Sequence, residues 1–192
     1  MFPGFDRIYV LRDPLTNRPF RGEMMGTTID EDRVLTRGEL KLERPVIVRH
    51  AMGGPPKDFI WTTSLFPKIV SQRVVDVLHS NRFTGWTTYP VEVYAKDGQR
   101  IEGYAGLAIV GRCGPLDNTR SEVIYRDYPG GKFPVWRGMH FDPHTWDGSD
   151  LFTTTARTGW VFVLDSVKSA LQEARIRNVK FERLTEVERS SL

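Results

Sequence analysis

His140, Asp142, His144, Asp147 and Asp150 fall within eleven residues of one another. Imidazoles and carboxylates that close could together hold a divalent transition metal. Their spacing matches no zinc signature, and Asp147 and Asp150, around Gly148 and Ser149, read more simply as turn residues. The expectation is therefore that no metal and no other cofactor is bound. A metal-dependent enzyme with a site around residues 140–150, using His140, Asp142 and His144, stays as the alternative. Tyr128-Pro129-Gly130-Gly131-Lys132 has a superficial likeness to a phosphate loop. It lacks the four-residue gap between glycines, the Ser or Thr after the lysine and the strand-to-helix setting that such a loop needs. Cys113 lies between Arg112 and Gly114, and a neighbouring arginine can lower a thiol pKa. No signature joins it to His50, His79, His140 or His144, so a structural thiol is expected. Ser149 is followed by Asp150 and Leu151 rather than by a second glycine, which rules out a nucleophile elbow. No catalytic residue is predicted, and the chain is expected not to be an enzyme.

The elements around these groups are easier to read. Asp147-Gly148 is a turn dipeptide, and residues 160–164 form an apolar run of strand length. Asp165 offers a side-chain oxygen as N-cap. Val167, Ala170, Leu171 and Ala174 then fall at i, i+3, i+4 and i+7, one apolar face of a helix. Asn178 suits a left-handed exit, and Val179, Phe181 and Leu184 begin another strand. Residues 69–78 have the same layout, with Val74, Val77 and Leu78 as the apolar face. Sliding one unit onto the other pairs Val74 with Val167, Leu78 with Leu171 and Arg82 with Arg175. These are three identities over the 21 positions from Ser71 to Val91, where chance gives about one. An internal duplication and an independent origin of two similar units both stay open.

Elsewhere, residues 45–49 form a candidate strand ended by Gly53-Gly54-Pro55-Pro56, the strongest breaker in the chain. Asp97-Gly98 reads as a two-residue type I′ turn after the alternating strand of residues 91–96. The return strand covers residues 101–110, with Gly103 and Gly106 marking a bend or the close approach of another backbone. Residues 111–150 are turn-rich, and a loop that long is functional or hides short strands. Residues 123–125 and 133–136 are the candidates. The fold class expected is α+β: a mixed or mostly antiparallel sheet with two main helices, in a single domain of residues 1–192. Residues 56–192 would be the main body, and residues 1–55 an N-terminal extension, arm or long loop.

Composition excludes little beyond a membrane span. The chain has 40% hydrophobic and 27% charged residues, ordinary for a globular protein that buries a core. No window approaches 18 consecutive apolar residues. The first residues, MFPGFDRIYVLRD, carry Pro, Gly and charge where a secretion signal needs an apolar block. With a single cysteine, this leads to the expectation of a cytoplasmic protein. The net charge of +3, from 27 basic and 24 acidic residues, is too small and too mixed to argue for nucleic acid. A weak nucleic-acid binder using Arg175, Arg177, Lys180 and Arg183 is a further alternative.

WDGSDLF, the apolar strand and VLDSVKSALQEARIRNVKFERL together resemble the C-terminal signature of a bacterial immunity-protein family from polymorphic toxin systems, with myxobacterial-type members. The matching positions are Trp146, Asp147, Gly148, Asp150, Leu151 and Phe152, then Val163, Val167, Leu171 and Phe181. IVSQRVVDVLHSNRFTGWTTYPVEV resembles that family's more N-terminal strand–helix unit. The resemblance covers residues 59–188. It implies a non-catalytic protein that binds and neutralises a cognate toxin in the producing cell, as a monomer or homo-oligomer. Aromatic and arginine anchors would then contribute most of the binding energy. Tyr128, Trp136, Arg137 and Trp146 are the candidates, with Asp147 and Asp150 as a local acidic patch. A net positive chain is a poor match for the basic cleft of a nuclease, because charge complementarity speeds association.

Overall fold

A computed structural model describes residues 1–16, 18–40, 42–64, 66–156 and 159–190. Among these residues the chain forms three α-helices and sixteen strands arranged in three sheets. The fold is α+β. Numbered in chain order, the eight-stranded sheet runs β6 (Trp86–Tyr89), β9 (Tyr104–Ile109), β5 (Lys68–Ser71), β4 (Phe59–Thr62), β2 (Arg21–Met25), β3 (Val46–Met52), β7 (Val91–Tyr94), β8 (Arg100–Ile101). The five-stranded sheet runs β10 (Gly111–Cys113), β13 (Leu151–Thr154), β14 (Phe162–Leu164), β1 (Ile8–Arg12), β15 (Lys180–Arg183). The third sheet consists of β11 (Glu122–Tyr128), β12 (Gly131–Arg137) and β16 (Glu188–Ser190). Both larger sheets are mixed, each with parallel contacts among antiparallel ones.

Alternation along β1 shows how the layers stack. Tyr9 and Leu11 point into a core shared with Val163, Val167 and Leu171 and with Phe59, Val70, Val74 and Leu78 of the larger sheet. Ile8 and Val10, on the opposite face, join Phe141, Phe152 and Phe162 in a second core, as the two-residue period of a strand requires. A third core lies across the larger sheet and includes Val48, Ile60, Ile69 and Leu35. Helices α2 (Gln72–Ser80) and α3 (Asp165–Glu173) pack on each other. They bury Val74 and Leu78, and Val167 and Leu171, at the helical spacing read from the sequence, while Val75 is buried and Val77 only half-buried.

Three local features differ from the sequence reading. A third helix, α1 (Ile29–Thr36), lies within residues 1–55, where the sequence reading had an extension, arm or long loop and only two main helices were expected. Its start is set by a capping box: Thr28 Oγ1 accepts from the Glu31 amide, and the Glu31 carboxylate accepts from the Thr28 amide at 2.7 Å. Those bonds to Thr28 hold the Glu31 carboxyl below its ordinary pKa. Thr28→Ala should cost about 1 kcal/mol in urea unfolding, and no change would mean that packing alone maintains α1. Asp165 is the first helical residue of α3, with Leu164 as its cap, and its carboxylate accepts from Lys168 at 3.3 Å. The turn after β7 is not type I′, since only Gly98 has positive φ, +84°. Gly98 N–H donates to Ala95 O and Ala95 N–H to Gln99 O, which makes a three-residue loop with a left-handed glycine.

The strand after this loop also divides. β8 stays with β7. At Gly103, φ +81°, the chain bends so that β9 inserts between β5 and β6. Gly106 lies under the Tyr89 ring, where a Cβ would come within 2.0 Å of it.

Lys68 is 3% exposed within β5. Its ammonium donates to Phe66 O at 2.8 Å and to Gly159 O at 3.4 Å. Burial disfavours the charged form and pulls its pKa from 10.5 down to about 8. The folded state therefore gives up this proton before the unfolded state does. Stability should rise with pH between the two pKa values, and burial of the charge costs most below pH 8. Relative to the non-titrating Lys68→Met, the wild type should gain about 3 kcal/mol across that window. A stability difference that stays flat with pH would contradict this.

Candidate interaction surface

The hairpin β11–β12 starts from its turn. Pro129 and Gly130 form a two-residue loop between the paired residues Tyr128 and Gly131, and Gly131 has the φ of +115° that suits glycine. From that closure, ladder hydrogen bonds fall on alternate pairs: Tyr128 with Gly131, Arg126 with Phe133, Ile124 with Val135. Pro134, which has no N–H, faces Tyr125 at a non-bonded pair, so it breaks no ladder bond to β11. Strand β16 pairs with the other side of β12 and leaves β11 as an edge.

The sheet buries little. Val135 is its one buried side chain among the described residues. Val123 (53% exposed), Tyr125 (65%), Tyr128 (52%) and Phe133 (43%) stand in solvent. Register places Val123 and Tyr125 on one face with Pro134 and Trp136. The Arg189 guanidinium lies 5.0 Å from the Trp136 ring centre and donates to Asn118 Oδ1 and Ser121 Oγ. On the opposite face, Tyr128 packs edge-on against Phe133 at 6.0 Å. Arg126 makes a two-pronged ion pair with Glu188, which holds that carboxyl below its ordinary pKa. A cleft of about 500 Å³ opens between Tyr128, Phe133, Val135, Glu188 and Arg189. Exposed rings beside arginines are the groups that contribute most to protein–protein affinity.

Three of the predicted contact residues, Tyr128, Trp136 and Arg137, thus share this sheet, with Arg137 4.0 Å from Glu122. The other three lie elsewhere and hold the chain together. The Trp146 ring packs against Phe2 and Phe152, and its Nε1–H donates to Ser149 O. Asp147 accepts from the amides of Arg112 and Ser149, and Asp150 accepts from the Thr84 amide and hydroxyl. The sequence reading did not single out Tyr125 and Phe133, whose rings are exposed. Both lay in runs noted only as candidate strands, and exposure depends on which sheet such a strand joins.

The groups considered for metal chemistry do not converge. Among the described residues no cluster of three or more His, Cys, Asp or Glu side chains could hold a metal ion. His140 packs edge-on against Phe5 at 5.0 Å, and its burial lowers its pKa. The Asp142 carboxylate instead caps the turn at His144 by accepting from that residue's amide. Cys113 is buried, and burial together with the Asp147 charge pushes its thiol up to about 12.

Residues 14–186 match the sequence model of the Immunity protein family (Imm11). The chain belongs to that family. A comparison with curated proteins returned no match. The family match covers the eight-stranded sheet, the five-stranded sheet apart from β1, and the hairpin β11–β12 but not β16, so Tyr125, Tyr128 and Phe133 lie inside the matched span. Among the described residues no helix is long and apolar enough to cross a membrane.

Proposed function

We propose that this Imm11 protein binds a cognate bacterial toxin and neutralises it by occupying its surface, without catalysis, in the cytoplasm of the producing cell. The observation that carries this reading is the three-stranded sheet, which exposes Val123, Tyr125, Tyr128 and Phe133 while burying one side chain. Apolar surface of that kind has no packing role in the chain itself, and exposed apolar patches mark interaction sites. Trp136 and Arg189 lie with Val123 and Tyr125 on one face, Arg137 with Tyr128 and Phe133 on the other, and the toxin would grip the exposed edge β11 from both. Trp146, Asp147 and Asp150 lie outside this contact, bonded to Ser149, Arg112 and Thr84.

Affinity capture from the native lysate tests the proposal, using the wild type beside the double variant Tyr125→Ala/Tyr128→Ala. One stoichiometric protein held by the wild type and lost from the variant is the expected result. A partner held equally by both would place the contact elsewhere on the chain.

We also infer that residues 69–91 and 162–184 are copies of one strand–helix–strand unit. Their helix exits support it: φ is +57° at Arg82 and +53° at Arg175, then +85° at Gly85 and +64° at Asn178. The bonds that close the exits match as well, Phe83 N–H to Leu78 O and Ile176 N–H to Leu171 O.

A further inference from the structure

The likeness between the two helical units extends through their sheets. The series β2-β4-β5-β9-β6 and β10-β13-β14-β1-β15 have the same sequence of contacts: parallel, then three antiparallel. Register makes the match residue by residue. Val70 faces Ala105, and its counterpart Val163 faces Tyr9, which equates Ala105 with Tyr9. On the other side Thr88 faces Leu107, and its counterpart Phe181 faces Leu11, which equates Leu107 with Leu11. The two registers are independent, and both align β9 with β1 at the same offset.

We infer that the whole chain is a tandem duplication whose halves have exchanged their first strands. β1 opens the first half but fills the centre of the second half's sheet, between β14 and β15. β9 opens the second half and fills the same place in the first half's sheet, between β5 and β6. This goes beyond the copying of one helical unit, although it rests on that reading.

Reciprocal bonds join the halves. Asp58 precedes β4, and Asp150 precedes β13. Asp58 Oδ2 accepts from the Arg177 amide at 2.8 Å, just after α3. Asp150 Oδ2 accepts from the Thr84 amide at 2.9 Å, just after α2. Phe59 N–H donates to Arg177 O at 3.3 Å, and Leu151 N–H donates to Thr84 O at 3.0 Å. Within each half, Ser71 N–H donates to Asp58 O and Leu164 N–H to Asp150 O. Thr62 Oγ1–H donates to Ser64 O, and Thr154 Oγ1–H to Ala156 O. Contacts in which each half gives the other what it receives define an isologous two-fold interface. Here both sides belong to one chain. The third sheet lies outside the shared framework: β11 and β12 fall between β10 and β13, where the first half has α1 and β3. The aromatic surface is thus an addition specific to the second half.

Amide hydrogen exchange on the full-length chain tests the exchange of strands. Asp58→Ala should speed exchange about tenfold or more at residues 175–178, in the opposite half, and leave residues 82–85 protected. Asp150→Ala should do the reverse. Should an alanine variant fail to fold, Asp58→Asn and Asp150→Asn keep the side-chain shape and give the same readout with smaller changes. Loosening of α2's exit in the Asp58 variants, or of neither exit, would overturn the exchanged arrangement. The copying of the helical units would survive either of those outcomes, because it rests on the geometry of the exits.

Discussion

Gly85→Ala should destabilise the protein by about 4 kcal/mol or more, as expected when an unrelieved clash meets backbone strain. A Cβ at this position would lie 1.9 Å from Leu151 O and 2.5 Å from Ser149 Cβ, and Gly85 has φ +85°. The first obstacle is a backbone carbonyl of β13, so no side-chain rotation removes the clash. Gly85 O also accepts from the amides of Val110 and Gly111, which bind it to the start of β10. Urea unfolding against Gly98→Ala separates the two contributions. Gly98 has φ +84° but nothing within 4 Å of the added carbon. That variant should lose only the left-handed strain, about 1–2 kcal/mol. If both glycine variants lose the same amount, Leu151 does not approach Gly85 as described. After α3, Asn178 also has positive φ, +64°, but its side-chain amide donates to Phe59 O at 2.8 Å. There the neighbouring strand is met by an amide rather than by bare backbone.

Legibility in the sequence followed the range of the interaction. Both long helices were readable because Val74, Leu78, Val167 and Leu171 carry their period within one element. Asn178 marked the exit of α3 for the same reason. Helix α1 had a legible start in Thr28 and Glu31, a capping box. Its apolar period is faint because the buried side of this short helix carries Asp32 and Thr36 beside Leu35. Strand β1 could be recognised from its apolar run, but its seat between β14 and β15 depends on residues more than 150 positions away. No local pattern encodes such a pairing. The same limit hid Asp58, an unremarkable residue after Lys57 until its carboxylate is seen to accept from Arg177. Trp146, Asp147 and Asp150 were visible as a group with chemical potential. Their bonds to Ser149, Arg112 and Thr84 show that potential spent within the fold. Metal-like spacing along a loop says little about convergence, because turns consume carboxylates as caps.

For the aromatic sheet the expected effects are large in binding and small in stability. Tyr125 and Tyr128 are mostly solvated, so Tyr125→Ala/Tyr128→Ala removes little buried area, and its melting temperature should stay within a few degrees of wild type. The same pair buried against a toxin should be worth about 3 kcal/mol, roughly a hundredfold in Kd. Trp136→Ala should add to the loss of affinity at some expense of stability, because its ring also carries Arg189 at 5.0 Å. Trp146→Ala makes the contrasting variant. Its ring packs on Phe2 and Phe152, so it should lower stability first and change affinity only through the folded fraction. Calorimetric titration of each variant with the captured partner separates these cases. A hundredfold loss in the tyrosine pair, with the folded fraction of Trp146→Ala binding as tightly as the wild type, places the toxin on the hairpin. Unchanged affinity in that pair, with loss in a still-folded Trp146 variant, would move the contact to the Trp146–Asp150 turn.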